Sequence, residues 1–400
     1  MKKVLVLGGG IGQLDFINFC VSQNCEVHIF DGSENPASLA INDSKVIHYC
    51  VDIRDSDSAL QIARRILPDC VIAPSNDAGI IAAAVIAESL GLPGPGVYAA
   101  KLSRDKYRMR ELTRESGIIS PWFKKVEVGG DSDLLALSEV RFPCVVKPVN
   151  GSGSKGVFYV KEKNMLFESL EKSCRDSNIT EILIEEFVPG IEYSLEGLVK
   201  DGNLEVVGIC RKTRTNLPYL LDVDVVYPSG LSDDLKKSSI ELAQEVSAVL
   251  KIQNAPIHME FIVTPDGKVY LVEIAVRAAG FGLFTKLISW CIGANTSKLQ
   301  LDLILNEPLS IDRDFAKKAG MLYFPQVMSE GVIAEITYNK SYLRQDSDCN
   351  VELTLLKQIG DHVRPAQNGS ERIAYVFIFA KEISDLKKVR ESLNFEVEFV

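Results

Sequence analysis

Over the first 95 residues the apolar positions alternate between two periods. Short apolar runs, "KKVLVLGG", "EVHIFDG" and "CVIAPSND", read as buried strands. Between them "GQLDFINFCVSQ", "SALQIARRIL" and "GIIAAAVIAESLGL" carry apolar residues at helical spacing. Strands alternating with helices predict a doubly wound α/β unit around a parallel sheet. "LPGPG" at 92–96 punctuates the chain, and a basic helix, "SRDKYRMRELTRESG", follows. The pattern then turns to strands: "CVVKPV" and "GVFYV" around a Gly/Ser loop, a helix over 164–175, "EILIEEFV", and a strand-rich stretch through 191–228. A helix over about 233–250, a hairpin at 258–277 and a helix over about 282–294 come next. Residues 310–400 mix strands with a short helix near 383–392. There is no internal repeat and no low-complexity segment.

The hairpin "HMEFIVTPDGKVYLVEIAVR" poses a chemical question. Asp266-Gly267 favours a two-residue turn, which sets Glu260 directly opposite Glu273. Like charges facing across a ladder repel, and the neighbouring Phe261-Ile262-Val263 and Leu271-Val272 predict a buried hairpin, where bare carboxylates are costly. A cation between them resolves the conflict. Mg²⁺ takes one or two carboxylates plus substrate phosphates, and Arg277 is spaced to grip a phosphoryl or carboxylate oxygen. The plainer alternative is an exposed hairpin neutralised by Arg277 or His258.

Two further segments have a bland and a chemical reading each. Lys147 lies on a strand that runs into Asn150-Gly151-Ser152-Gly153-Ser154-Lys155-Gly156. Such a loop is either a flexible connection or a lid whose backbone amides cradle phosphates; it is not a Walker loop, since no G-K-[ST] opens a helix. In "EILIEEFVPGIEYSLEG", Glu185, Glu186, Phe187 and Val188 form a strand end, with Glu192 across a Pro-Gly turn. This is either a solvated acidic edge or an adenine hinge with a ribose carboxylate. "CRKTRTNLPYLLDVDVVYPSG" carries Arg211, Lys212, Arg214, Asp222 and Asp224, which, with His258 and Gly280, are candidate substrate contacts. The N-terminal "GGGIGQ" reads as a tight glycine turn into a helix; a NAD site there, with Asp31 on the ribose, is the distant alternative, because Gln13 replaces the last small residue of the fingerprint.

Composition narrows the classes. Of 400 residues, 46% are hydrophobic and 24% charged, an ordinary globular balance. A net charge of −10 argues against a nucleic-acid partner, and no apolar run reaches the ~18–20 residues of a membrane span. The nine cysteines are scattered, without C-x-x-C, as reduced core residues of a cytoplasmic protein.

Taken together, "SRDKYRMREL", "VVKPVNGSGSKGV", "LIEEFVPGIEYSLEG" and "HMEFIV…LVEIAVRAAGFG" resemble, in content and order, the ATP-grasp superfamily, over most of the chain. The resemblance implies an α/β ATP-grasp fold with α+β lobes: a doubly wound pre-grasp domain at 1–95, a central region with the glycine-rich lid at 96–190, a catalytic core with the Mg site at 191–309 and a C-terminal lobe at 310–400. It implies ATP and Mg²⁺ (or Mn²⁺) as cofactors. Lys106 and Lys147 would contact the phosphates, with Ser152, Gly153, Ser154 and Gly156 closing over them. Glu185, Glu186, Phe187 and Val188 would form the hinge, and Glu192 would hold the ribose. Glu260 and Glu273 would ligate the metal, with Arg277 and Lys155 as the catalytic cations. One departure stands out: many members have Asn where this chain has Ala275, so a second fully ligated Mg²⁺ loses a donor. "EIA-x-R-x-x-G" looks more like the carboxylate–amine ligase branch, which joins amino acids or related small molecules through an acyl-phosphate and releases ADP. The expected partners are a small carboxylate and an amine, without nucleic acid or membrane, and with a homodimer implied by the resemblance alone. The alternatives are a ligase of nucleotide or cofactor biosynthesis and a non-catalytic nucleotide-binding regulator.

Overall fold

The computed structural model describes residues 1–129, 137–311, 318–339 and 349–400. The N-terminal unit is a four-stranded parallel sheet of Lys3–Leu7, Glu26–Asp31, Val46–Cys50 and Cys70–Ile72, in the order third, second, first, fourth. Alternation along its first strand sends Val4 and Val6 to one face, against Phe16, Ile17 and Cys20 of helix Leu14–Ser22. Leu5 and Leu7 go to the other, against helices Ser56–Ile66 and Ile80–Leu90. The strand at Val46–Cys50, only half-buried, has no clean apolar pattern and is absent from the sequence reading.

The central region is a four-stranded antiparallel sheet of Phe123–Glu127, Glu181–Glu186, Cys144–Pro148 and Phe158–Val160, in that order. Helix Leu166–Ser177 covers one face. The rest of the chain builds an eight-stranded sheet. It starts at Val269–Ala275 and Ala255–Val263, continues through Ile191–Lys200, Asn203–Arg214 and Asp222–Tyr227, and ends with Ala319–Tyr323, Ala374–Ala380 and Cys349–Leu355. Strands on both sides of residue 309 therefore share one sheet. Helix Thr296–Ile304 leaves this region to pack Leu301 and Ile304 beneath the N-terminal sheet. Six cysteines, including Cys70, Cys144 and Cys210, are buried; Cys50 is exposed. Among the described residues no helix is long and apolar enough to cross a membrane.

The hairpin turn differs from the expectation. Thr264 N–H donates to the Lys268 carbonyl at 3.0 Å and Gly267 N–H to the Thr264 carbonyl at 2.9 Å, so the loop is the three residues Pro265–Gly267, with Gly267 at φ +79°. Taken alone, this would shift the pairing by one residue. Val272 is an extra, bulged residue in the return strand, and it shifts the pairing back: Phe261 faces Leu271, while Glu260 faces Glu273.

At the N-terminus the glycine loop spends its amides locally. Gly9 N–H donates to Asp31 Oδ2 at 2.7 Å and Gly10 N–H to Gln13 Oε1 at 3.0 Å. Asp31 also accepts from Ser33 N–H at 2.8 Å. Asp31 is thus a loop-closing group, as the plainer reading has it.

Candidate active site

Two cavities meet at the opposed glutamates. The first is a cleft between the central sheet and the hairpin, with about 870 Å³ of space that is partly open to solvent. It is walled by Lys106, Lys147, the loop 151–155, Glu185 to Val188, Glu192 and Arg214. The second, of about 1060 Å³, is walled by Asp77, Lys212, Asp222, His258, Arg277 and Gly280, among others. Ser152 to Ser154, Glu260 and Glu273 line both.

Local structure accounts for most of these positions. Asp105 caps helix Lys106–Glu115 by accepting from Arg108 N–H at 2.9 Å. That cap sets Lys106 at the first helical position, and its Nζ reaches the Gly151 carbonyl at 2.8 Å and Glu273 at 3.0 Å. In the loop, Gly153, Ser154 and Gly156 all have positive φ, from +57° to +74°. A Cβ on Gly156 would come within 2.9 Å of the Ser173 carbonyl, so only glycine fits there. The loop is tied down on two sides: Ser154 Oγ donates to the Leu220 carbonyl at 3.3 Å, and Gly369 N–H donates to the Gly153 carbonyl at 2.9 Å.

The hinge carboxylates have different surroundings. Glu185 is buried between Arg110 and Lys147, each 2.5 Å from one of its oxygens. Burial pushes its pKa up, and the two cations more than reverse that, to about 2. Lys147, fully enclosed, is pushed down by its burial. Glu185 therefore positions Lys147, and its side chain is committed before any ligand arrives. Glu186 is half exposed, 3.7 Å from Arg141. Phe187 meets Tyr159 edge-on at 4.9 Å between centroids, and the Glu186 and Phe187 amides donate to the Trp122 and Pro143 carbonyls at 2.8 and 3.0 Å.

Glu260 and Glu273 are each neutralised from outside the hairpin. Lys212 Nζ contacts Glu260 and lies 3.2 Å from both Glu192 and Asp222. Arg214 adds a 2.6 Å bond to Glu192. Burial raises the pKa of Glu192, whereas Lys212 and His258, despite burial, hold Glu260 well below the usual carboxylate range. His258 donates to Glu196 at 2.5 Å and approaches Glu260 at 3.3 Å. Burial would lower its pKa, but the Glu196 charge raises it to about 9, so it is a cation. Ala275 stands opposite His258, so a methyl group occupies the place of the Asn donor.

Among the described residues no group of three or more His, Cys, Asp or Glu side chains is arranged as a metal cage. Two opposed carboxylates, each held by a lysine, nevertheless fit a hard divalent ion that completes its shell with phosphate oxygens.

Arg277 makes a two-pronged bond to Asp77, at 2.8 and 2.9 Å, and Arg104 reaches the same carboxylate at 3.4 Å. That pairing raises the Arg277 pKa and lowers that of Asp77, in both cases against burial. Of the remaining candidates, Lys155, Arg214, Asp222, His258 and Gly280 line one cavity or the other. Arg211 does not: strand alternation puts it on the opposite face from Lys212 and Arg214, and it is exposed. Asp77, Arg110 and Arg372 complete the site without any local motif to announce them, and Lys212, a candidate substrate contact from its sequence, instead holds Glu192, Asp222 and Glu260.

Residues 140–285 match the model of the ATP-grasp domain. This chain has the ATP-grasp fold. The crystal structure of L-amino acid ligase from Bacillus licheniformis superposes over 100% of this chain and 99% of that one, with a TM-score of 0.84 at 20% identity. Alanine–anticapsin ligase from Bacillus subtilis is 29% identical over 258 residues, 58% of this chain and 53% of that protein. D-alanine–D-alanine ligase B from Chromobacterium violaceum is 27% identical over 282 residues, 68% of this chain and 82% of that protein. The chain spans about half the length of the first curated relatives it matches.

Proposed function

We propose that this ATP-grasp protein is an ADP-forming carboxylate–amine ligase acting on amino acids or related small acids. The observation that carries the reading is the Glu260–Glu273 pair, which lines both the cleft beside the central sheet and a second cavity. A phosphoryl group bound between those carboxylates can be reached from either side.

In this reading the backbone of Glu186 to Val188 meets the adenine edge and Glu192 the ribose. Lys106, Lys147 and Lys155 neutralise the phosphates under the loop 151–156. Glu260 and Glu273 would hold Mg²⁺ or Mn²⁺, which would supply neutralisation of phosphate charge. Arg277, oriented by Asp77, holds the oxygens of the transferring group in the second cavity. The substrate carboxylate attacks the γ-phosphorus and the bond to ADP breaks. The amine then attacks the acyl carbon of the resulting acyl-phosphate, its proton passes to solvent, and phosphate leaves with the bonding electrons. An oxide ion is a poor leaving group and phosphate a good one, which is what ATP contributes. Closure over the reaction protects the acyl-phosphate from water.

The test is product analysis with Mg²⁺-ATP and a grid of amino acids and amines. ADP and phosphate appearing only with particular pairs support the ligase and identify its substrates. AMP and pyrophosphate would mean adenylation and overturn the acyl-phosphate route. Tight ATP binding with no turnover for any pair would favour a non-catalytic nucleotide-binding protein, the alternative to which Ala275 gives some weight.

A further inference from the structure

Arg372 follows the turn Gly369–Glu371 and lines the second cavity. It is 7% exposed. Its guanidinium lies over the Phe324 ring, 3.2 Å from the centroid, with the Phe281 ring at 5.4 Å. Its Nε and Nη1 are sealed from solvent and have no hydrogen-bond partner. The other strong cations on this cavity's described walls are committed: Arg277 to Asp77, and Lys212 to Glu192, Asp222 and Glu260. Burial lowers the Arg372 pKa to about 10 and Asp222 draws it up, so the group is charged at neutral pH. Protein interiors pair nearly all their buried polar groups, and an uncompensated buried charge is costly. Stacking on the aromatic faces offsets part of that cost; the remainder calls for an anion.

The proposed reaction indicates which anion. The donor's carboxylate is consumed at Glu260, Glu273 and Arg277. An acceptor that is a simple amine brings no negative charge. An acceptor that is an α-amino acid brings a carboxylate that survives the reaction and must be neutralised in the same cavity. We propose that Arg372 is the residue that anchors the α-carboxylate of an amino-acid acceptor in this cavity. This rests on the ligase reading. The anchor is also tied to the nucleotide loop, since Gly369, three residues before it, bonds the Gly153 carbonyl. Gly153 lines both cavities, so the segment that would sense the acceptor touches the loop that would cover ATP.

The experiment compares wild type, Arg372→Met and Arg372→Lys, with Mg²⁺-ATP and the donor found by product analysis. The acceptors are alanine, leucine and phenylalanine beside their decarboxylated counterparts ethylamine, isoamylamine and phenethylamine. The wild type is expected to use the amino acids with a KM at least about 100-fold below that of the amines. Arg372→Met should raise the amino-acid KM by about 100-fold and leave the amine KM and the ATP KM unchanged, with partial recovery in Arg372→Lys. Equal use of amines and amino acids by the wild type overturns the inference, as does a change in donor KM in place of acceptor KM. Calorimetric titration of the same amino acids into the Mg²⁺-ADP form separates this failure from failure of the ligase reading. Binding heat lost in Arg372→Met supports the anchor even without turnover. Unchanged heat, or no binding to the wild type, overturns it.

Discussion

Replacing Glu185 by Gln tests the claim that this residue is a buried electrostatic support and not a free ligand contact. The change is nearly isosteric, so packing is preserved and charge alone is removed. Glu185 is 5% exposed, and its two oxygens each meet a cation at 2.5 Å, Arg110 and Lys147, which are themselves almost fully buried. Removing one partner of a buried pair costs about 3–5 kcal/mol. The lower end applies here: Arg110 keeps its bond to the Val272 carbonyl at 2.8 Å, and Lys147, already pushed down by burial, can shed its proton. A second route gives a similar figure. A carboxyl brought from 4.5 to about 2 carries about 3 kcal/mol. Because the folded-state value is depressed, that stabilisation is present above pH 4.5 and is lost as pH falls toward 2. At about pH 3.5, between a third and a half of it should be gone. The assay is urea unfolding of wild type and Glu185→Gln followed by fluorescence, with Trp122 packed in the same lobe as reporter. The expected difference is about 3 kcal/mol at pH 7, narrowing as pH falls. A difference below about 1 kcal/mol, or one that does not change with pH, would refute the buried-triad account.

Two substitutions separate the opposed glutamates from their lysines. Glu273→Gln should cost no more than about 1 kcal/mol, because its contact with Lys106 is partly exposed, with Glu273 at 27%. Mg²⁺-dependent ADP formation should nevertheless fall by at least about 100-fold; unchanged turnover beside an unchanged melting curve would remove Glu273 from the metal site. Lys212→Met leaves Glu192, Asp222 and Glu260 facing one another without the cation they share, and should lower apo stability by about 3–5 kcal/mol. Added Mg²⁺ should raise the melting temperature of that variant more than it raises that of wild type; equal shifts would mean the ion does not bind among these carboxylates.

What the sequence made legible was local. The apolar alternation that predicts a doubly wound unit is visible because a strand buried on both faces needs no partner's identity to be recognised. The loop 151–156 stands out because only small residues tolerate three positive φ angles so close together. The pairing of Glu260 with Glu273 was read correctly from a turn that is not the one the chain makes. The three-residue loop at Pro265–Gly267 moves the register by one and the bulge at Val272 moves it back. Had either feature stood alone, the two carboxylates would be on opposite faces of the sheet, since a one-residue slip inverts every side chain. The compensation is therefore informative. A bulge spends a ladder hydrogen bond and bends the strand, and here it restores one thing above all, the opposition of two like charges. What stayed illegible was the neutralising charge, which comes from elements distant in sequence: Asp77 lies 200 residues from Arg277, and Lys212 lies 48 residues from Glu260. Periodicity specifies which way a side chain points from its own strand, and it carries no information on which helix or sheet arrives opposite. The sequence therefore raises the need for a cation between the glutamates, and only the packing of helix Lys106–Glu115 and the sheet placement of strand Asn203–Arg214 show that Lys106 and Lys212 meet it.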